Sequence, residues 1–274
     1  MQEEIINSWE EFEHRVVDLI EFWKKKKSST PLYVSNILFR GQSDARWGLQ
    51  TTLERYIGLK PTLYGYYRVI HAAKSRVETF TERKWEKIPT PPEYESWLAK
   101  YEPLAGGKFP AYEYMVYLRH HGFPSPLLDW TTSPYVAAYF AFREIEGKAD
   151  SAAIFAYIEY MGQGKSAKAS EPIICSLGPY ISSHKRHFLQ QCEYTICTRV
   201  ENKEAYYSSH DMVFTRDDQN QDLLWKFILP SSERMKVLKK LDMYNINAHS
   251  LFGSEESLME TLALREFFLR KMDL

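Results

Sequence analysis

The sequence predicts an α+β fold: a mixed or antiparallel sheet with flanking helices, in a single domain over residues 1–274 that begins with a helix in 1–30 and closes with one over 257–272. Three observations carry that reading. Ala152 to Ile158 and Tyr194 to Val200 alternate in the period-two manner of half-buried strands. Trp9, Phe12, Val16, Leu19, Ile20 and Trp23 recur at helical spacing. The segments do not follow the regular interleaving of a βαβ array, and no internal repeat is present.

Taken in order, Ser8-Trp9-Glu10-Glu11 reads as a capping box opening the first helix. Lys24 to Lys27 suit its C-terminal end, where cations meet the negative end of the helix dipole, and Ser28-Ser29-Thr30-Pro31 turns the chain away. Leu32 to Phe39 is extended and runs into Arg40-Gly41. Residues 51–87 are mostly helical, with Leu53, Tyr56, Val69, Ile70, Val77, Phe80 and Trp85 as the apolar positions. Pro89, Pro91 and Pro92 break that pattern, and 93–110 is irregular or only partly helical. A helix over roughly 111–121 puts Tyr114, Tyr117 and Leu118 on one face.

Ser133-Pro134 then marks a helix start, Ser as N-cap and Pro as first helical residue, for a helix reaching about Arg143. Its Ala137, Ala138 and Ala141 let it lie close against a sheet. The Gly/Ser/Lys-rich run 161–170 reads as a mobile loop, and Asp211 to Thr215 and Leu223 to Leu229 as further strands. Pro230-Ser231-Ser232 opens a helix carrying Met235, Leu238 and Leu241, and Ser257-Leu258-Met259-Glu260 offers a capping box for the last helix.

Bulk properties bound the function. A formal net charge of −1 over 274 residues gives no global field toward nucleic acid or membrane, so a polyanion must meet a local patch. Three cysteines (Cys175, Cys192, Cys197) without CxxC spacing fit a reducing, cytoplasmic setting better than a disulfide framework. The acidic start Met1-Gln2-Glu3-Glu4 lacks a signal-peptide pattern, and no uncharged apolar run is long enough for a bilayer, so no membrane partner is expected. With 19 Tyr, 15 Phe and 7 Trp, the chain has aromatic side chains enough for a core and for a ligand cleft.

Arg40 ends an apolar run, and Gly41 follows at once. A guanidinium there suits bidentate phosphate recognition, and glycine permits close approach; the alternative is a strand-end Arg paired to a carboxylate. Phe39-Arg40-Gly41-Gln42-Ser43, followed by Arg119-His120-His121-Gly122-Phe123-Pro124-Ser125-Pro126-Leu127-Leu128-Asp129-Trp130-Thr131-Thr132-Ser133-Pro134 with Ala137-Ala138-Tyr139-Phe140-Ala141, resembles the FRG-domain family, and Arg186 to Thr195 is similar to its third motif. The resemblance extends over about 30 to 250.

The order of these motifs in turn resembles that of ADP-ribosyltransferases, which implies an ADP-ribosyltransferase-like sheet core and NAD as substrate. On that resemblance Arg40 holds the NAD phosphates, with Gly41, Gln42, His120, Asp129, Trp130, Thr131, Thr132, Ser133 and Tyr139 as further cofactor-binding positions. Gln191-Cys192-Glu193 is similar to the Gln-x-Glu pair of such enzymes, making Glu193 the catalytic acid and Gln191 a positioning group, with Glu255 and Glu256 as rival acids. Breaking the nicotinamide–ribose bond develops oxocarbenium character, which a carboxylate stabilises, and an Arg neutralises the pyrophosphate. Trp130, Tyr135 or Tyr56 would stack on a ring. The resemblance further implies a toxin or phage-defence effector, an RNA or DNA base as acceptor ahead of a protein side chain, and an inhibitory antitoxin partner. The alternatives are a nucleotide- or nucleic-acid-binding sensor without turnover, and an NAD glycohydrolase.

Other chemistries find less support. His120 and His121, adjacent at a helix end, point apart, and there is no tetrahedral Cys/His spacing, so no metal is expected. There is no Gly-x-Ser-x-Gly elbow and no P-loop or Rossmann glycine pattern. Lys24 to Lys27, and Lys165, Lys168, Lys185 and Arg186, are the local basic concentrations, read as solvated faces or as guides for a single strand of nucleic acid.

Overall fold

The computed structural model describes residues 1–58, 61–105, 108–144, 149–179, 181, 185–216 and 218–269. Its strands are β1 (Gln2–Ile5), β2 (Leu38–Gln42), β3 (Leu127–Thr131), β4 (Ser151–Tyr160), β5 (Ile173–Ser176), β6 (Cys192–Glu201), β7 (Glu204–Tyr207) and β8 (Gln221–Pro230). Its helices are α1 (Trp9–Ser29), α2 (Thr52–Ile57), α3 (Leu63–Thr81), α4 (Pro91–Leu98), α5 (Tyr112–His120), α6 (Pro134–Phe142), α7 (Lys185–Leu189), α8 (Asp211–Phe214), α9 (Arg234–Met243), α10 (Ala248–Phe252) and α11 (Glu255–Ala263). The strands form one mixed sheet in the order β1-β8-β4-β2-β3-β6-β5, with β7 also paired to β6. β1 lies parallel to β8 and the other pairings are antiparallel. This is the mixed α/β architecture with flanking helices that the sequence predicts.

The sheet has a weak seam. β2 pairs with β4 from Leu38↔Tyr157 to Gln42↔Ala153, and β3 with β6 from Leu127↔Ile196 to Thr131↔Cys192. Between β2 and β3 only Phe39↔Thr131 is in register. Each half has its own helical cover on the same face. Trp9, Phe12 and Val16 of α1, Phe142 of α6 and Leu238 of α9 pack with Ile154, Phe227 and Leu229. Tyr66, Tyr67, Tyr114 and Leu118 of α3 and α5 pack with Leu127, Tyr194 and Ile196. The opposite face carries Leu38, Trp130, Phe155 and Tyr157 and is closed by Ala45, Leu49 and the α8 residues Val213 and Phe214.

Local chemistry explains most element boundaries. The Ser8 hydroxyl accepts from the Glu11 amide as N-cap, while the Glu11 carboxylate takes the Asn7 amide in place of the Ser8 amide of a full box. Pro91 and Pro92 start α4 where a break is expected, because proline fits the first helical turn and Thr90 with Glu93 makes a capping box. β2 begins only at Leu38; of the preceding extended run, Val34 makes one isolated bridge to Met161.

The apolar stripe expected over 51–87 is partly misassigned. Tyr56, Val69 and Phe80 are exposed, and α3 buries Leu63, Tyr66, Tyr67 and Ile70. The two tyrosines can face inward because their hydroxyls donate to the carbonyls of Pro124 and Pro89. Asp211 to Thr215 is not a strand but α8: the Asp211 carboxylate accepts the Leu49 amide at 3.0 Å and ties a helical turn to the 44–51 loop.

The 161–170 run is anchored rather than solvated at Lys165. That ammonium is buried between Glu159 (3.1 Å) and Asp222 (2.7 Å), so it belongs to neither a nucleic-acid path nor an exposed face. The last helix is capped by Ser254 with Ser257, three residues before the expected box, and passes into a π-turn over Leu264–Leu269; its expected end at 270–272 lies outside the described residues. The short strands β1, β5 and β7 escape periodicity because four residues are too few to show it. Among the described residues no helix is long and apolar enough to cross a membrane.

Candidate functional site: a cationic cleft at the seam of the sheet

At the seam, between the two helical covers, lies a cleft of about 360 Å³, within the size range of small-molecule sites. Arg40 and Gln42 of β2 and Asp129, Trp130 and Thr131 of β3 form its floor. Ala137 and Phe140 of α6, Arg119 and His120 of α5, and Arg186, Gln190, Cys192 and Phe252 form its walls, with Trp47 and Arg55 from the loop and helix after β2.

Gly41 makes this arrangement possible in a way the sequence does not reveal. A Cβ there would lie 1.9 Å from the Ala137 carbonyl oxygen and 2.6 Å from the Ala141 nitrogen. Only glycine lets β2 run against α6, and the alanines of α6 complete the contact. The close approach that Gly41 serves is therefore to a helix backbone. With Gly41 facing α6, strand alternation turns Arg40 to the other side. Its Nη1 reaches across the seam and donates to the Asp129 carbonyl at 2.7 Å, serving an acceptor on the strand that β2 has left.

Asp129 holds two cations. Its carboxylate receives Arg119 in bidentate fashion, Nε at 3.0 Å and Nη2 at 2.6 Å, while Arg119 Nη1 donates to Thr52 on α2 at 2.8 Å. Burial works to raise the Asp129 carboxyl, but Arg119 and Arg40 overcome it and leave it below the ordinary range. Arg40 falls to about 10, chiefly through burial, with Asp129 opposing and Arg119 and Arg55 adding repulsion; it stays charged at neutral pH. The Arg55 guanidinium has no hydrogen-bonded or ionic partner among the described residues.

Two sealed polar atoms in the floor lack partners: Arg40 Nε, a donor, and Gln42 Oε1, an acceptor. Such atoms are costly unless something else completes them. Gln42 is otherwise fixed, donating through Nε2 to the Gly48 carbonyl at 3.2 Å.

Trp130 is nearly fully buried, and its indole N–H donates to the Thr195 hydroxyl at 2.8 Å, which also meets His210 Nε2 at 2.9 Å. His210 is wholly buried; desolvation, helped by Arg40 and Lys165, lowers it to about 3, so it is neutral. His120 bonds the Tyr194 hydroxyl at 2.7 Å, a scaffold contact at the cleft wall. Burial pushes the Cys192 thiol up to about 12, which makes it a neutral lining group.

The other predicted positions lie off the lining. Thr132 and Gln191 bond each other at 3.1 Å, Ser133 caps α6, and Tyr139 donates to Glu260 at 3.1 Å. Glu193 pairs with Trp130 across β3–β6. It is half-buried, burial and Glu159 raise its carboxyl, and its carboxylate makes no hydrogen bond or ion pair among the described residues. Extending the Phe39↔Thr131 register places Arg40, Trp130 and Glu193 in one row on one face, with roughly 10 Å of sheet between the first and last. Glu255 and Glu256 sit in the first turn of α11. Tyr56 lines a separate apolar pocket, and Tyr135 packs on Trp9 and Tyr244.

Residues 35–150 match the FRG domain family model. That segment supplies Arg40, Gln42, Trp47, Arg55, Arg119 and Asp129, so both strands of the seam and most of its cations fall within the FRG match. The Arg186 to Thr195 block lies beyond it. No curated protein and no solved structure matches the chain.

Sequence reasoning passed over Trp47, Arg55, Gln190 and Phe252, and gave Arg119 no role. Trp47 was legible as a lone indole in the polar run Asp44-Ala45-Arg46-Trp47-Gly48. Phe252 and Gln190 reach the cleft only through tertiary packing and leave no local signal.

Proposed function

We propose that the seam cleft binds NAD and that the chain transfers its ADP-ribose to a macromolecular acceptor, a nucleic-acid base ahead of a protein side chain. The observation that carries this reading is the set of guanidinium groups lining the cleft, Arg40, Arg55 and Arg119, of which Arg55 makes no ion pair among the described residues. A dinucleotide offers a diphosphate to such a set, and hydroxyl and amide hydrogens to the polar groups beside it. The seamed sheet would then be an ADP-ribosyltransferase-like core.

In the reaction, the bond between ribose C1′ and the nicotinamide nitrogen breaks, and nicotinamide leaves neutral with the electron pair. The acceptor's lone pair forms the new bond to C1′, and its proton passes to a base. Arg40 and its arginine neighbours neutralise the diphosphate. Glu193, in the row with Arg40, is the proposed carboxylate for the oxocarbenium charge; its raised carboxyl also suits proton transfer.

Labelled NAD, incubated with the protein and with RNA, DNA or protein acceptors, tests this. Label should pass to a macromolecule, with rates falling by roughly 10²-fold or more in Glu193→Gln and at least tenfold in Arg40→Ala. Full activity in Glu193→Gln with loss in Glu256→Gln would move the acid, and absence of NAD consumption with every acceptor would end the enzyme reading. Binding without turnover is the second reading, and it has its own observation: of the lining carboxylates, Asp129 is locked by Arg119 and Glu144 accepts from the Ser43 hydroxyl, and Glu193 does not line the cleft.

A further inference from the structure

We infer that Trp47 is the stacking platform for an adenine ring at the mouth of the cleft, with Arg55 beside it for an adjacent anionic group; this rests on the dinucleotide reading of the same cleft.

Among the cleft aromatics, Phe39 and Trp130 are each 2% exposed, and the Trp130 indole N–H is engaged. Phe252 has the Arg143 guanidinium 4.5 Å and the Arg186 guanidinium 5.3 Å from its ring centroid, so its π-surface is already occupied. Phe140 packs edge-on with Tyr139 and Phe252. Trp47 is 46% exposed and its ring makes no aromatic, cation–π or hydrogen-bond contact among the described residues.

An indole left open in this way is commonly a loop tip of no consequence, but the loop that carries Trp47 is built to hold it still. The Ala45 amide donates to the Ser151 carbonyl at 2.9 Å and the Trp47 amide to the Asp44 carbonyl at 3.2 Å. The Gly48 carbonyl accepts from Gln42, and the Leu49 amide is held by Asp211. Ala45 and Leu49 are buried on either side. Gln42 thus ties the Trp47 loop directly to the cleft floor. A rigid aromatic over a cleft offers stacking without an ordering cost on binding. Arg55, on the same lining and with its guanidinium unpartnered among the described residues, favours a ring attached to an anionic group.

The test is a pair of calorimetric titrations, ADP-ribose and ribose 5-phosphate, into wild type, Trp47→Ala and Trp47→Phe. Ribose 5-phosphate reports the anion site at Arg40 and lacks the adenine. Trp47→Ala should weaken ADP-ribose roughly tenfold or more while leaving ribose 5-phosphate unchanged, and Trp47→Phe should keep most of the ADP-ribose affinity. Unaltered ADP-ribose binding in Trp47→Ala overturns the inference and leaves the anion cleft standing. Equal losses for both ligands also overturn it, since they mark a structural effect. If neither ligand binds wild type, the cleft reading fails and this inference with it.

Discussion

Asp129 shows how one carboxyl organises the floor of the cleft: the side chain fixes Arg119, and the backbone carbonyl of the same residue holds Arg40. Asp129→Asn should destabilise the protein by about 2 kcal/mol at neutral pH, less than a fully buried pair because the Asp129 side chain keeps 33% exposure. The carboxyl is lowered in the fold, so its stabilisation is present above the unfolded carboxylate range and lost as pH falls through the folded value. The difference in denaturation midpoint between wild type and variant should therefore shrink below about pH 4. His210 acts in the same direction for a different reason. Its folded value near 3 means the unfolded chain binds the proton first, so stability should decline by roughly 2 kcal/mol between pH 7 and pH 5, a loss that His210→Gln lacks. A pH-independent melting point over that range would show His210 to be hydrated. At this scale the dense motifs singled out Arg40, Gln42, Asp129 and Trp130 as candidate site residues, and the four line one cleft. It could not show that Asp129 bonds Arg119, ten residues upstream, because the pairing depends on how α5 returns to β3.

At the scale of elements, α6 was readable down to its cap and its small face, and the reason for that face lies at Gly41. Gly41→Ala forces a methyl into the α6 backbone and should cost roughly 3 kcal/mol or more, seen as a large drop in melting temperature or a loss of soluble protein. A variant that melts like wild type would mean that α6 can slide away from β2. The 161–170 loop went the other way: its composition reads as mobile, but Lys165 is buried with Glu159 and Asp222, and the Tyr157 hydroxyl bonds Asp222 at 2.5 Å. Lys165→Met would leave two facing carboxylates in the core and should destabilise by roughly 3 kcal/mol or more, partly recovered when Glu159→Gln and Asp222→Asn are added. Composition cannot reveal this, because the ion pair with Asp222, far along the chain, outweighs the small and polar neighbours of Lys165. The tyrosine face of α3 escaped for a related reason: hydroxyls that find carbonyls let polar-tipped rings replace the apolar stripe that periodicity seeks.

On the scale of the whole molecule, the sheet is two covered halves joined at one register pair, and the polar floor of the cleft sits in that join. The near-neutral net charge hid the site, since the arginines of the cleft are scattered through the sequence and balanced elsewhere. The α+β class and the flanking helices were legible from periodicity and caps; the seam was not, because it arises from β2 parting from β3 to follow α6. The most direct measurement is equilibrium binding of NAD to wild type, Arg40→Lys and Arg40→Ala at two salt concentrations. A cleft built around a diphosphate predicts saturable, salt-weakened binding to wild type, at least tenfold weaker in Arg40→Ala and only partly restored by Arg40→Lys, which keeps the charge but not the fork. Equal affinity in wild type and Arg40→Ala would contradict it.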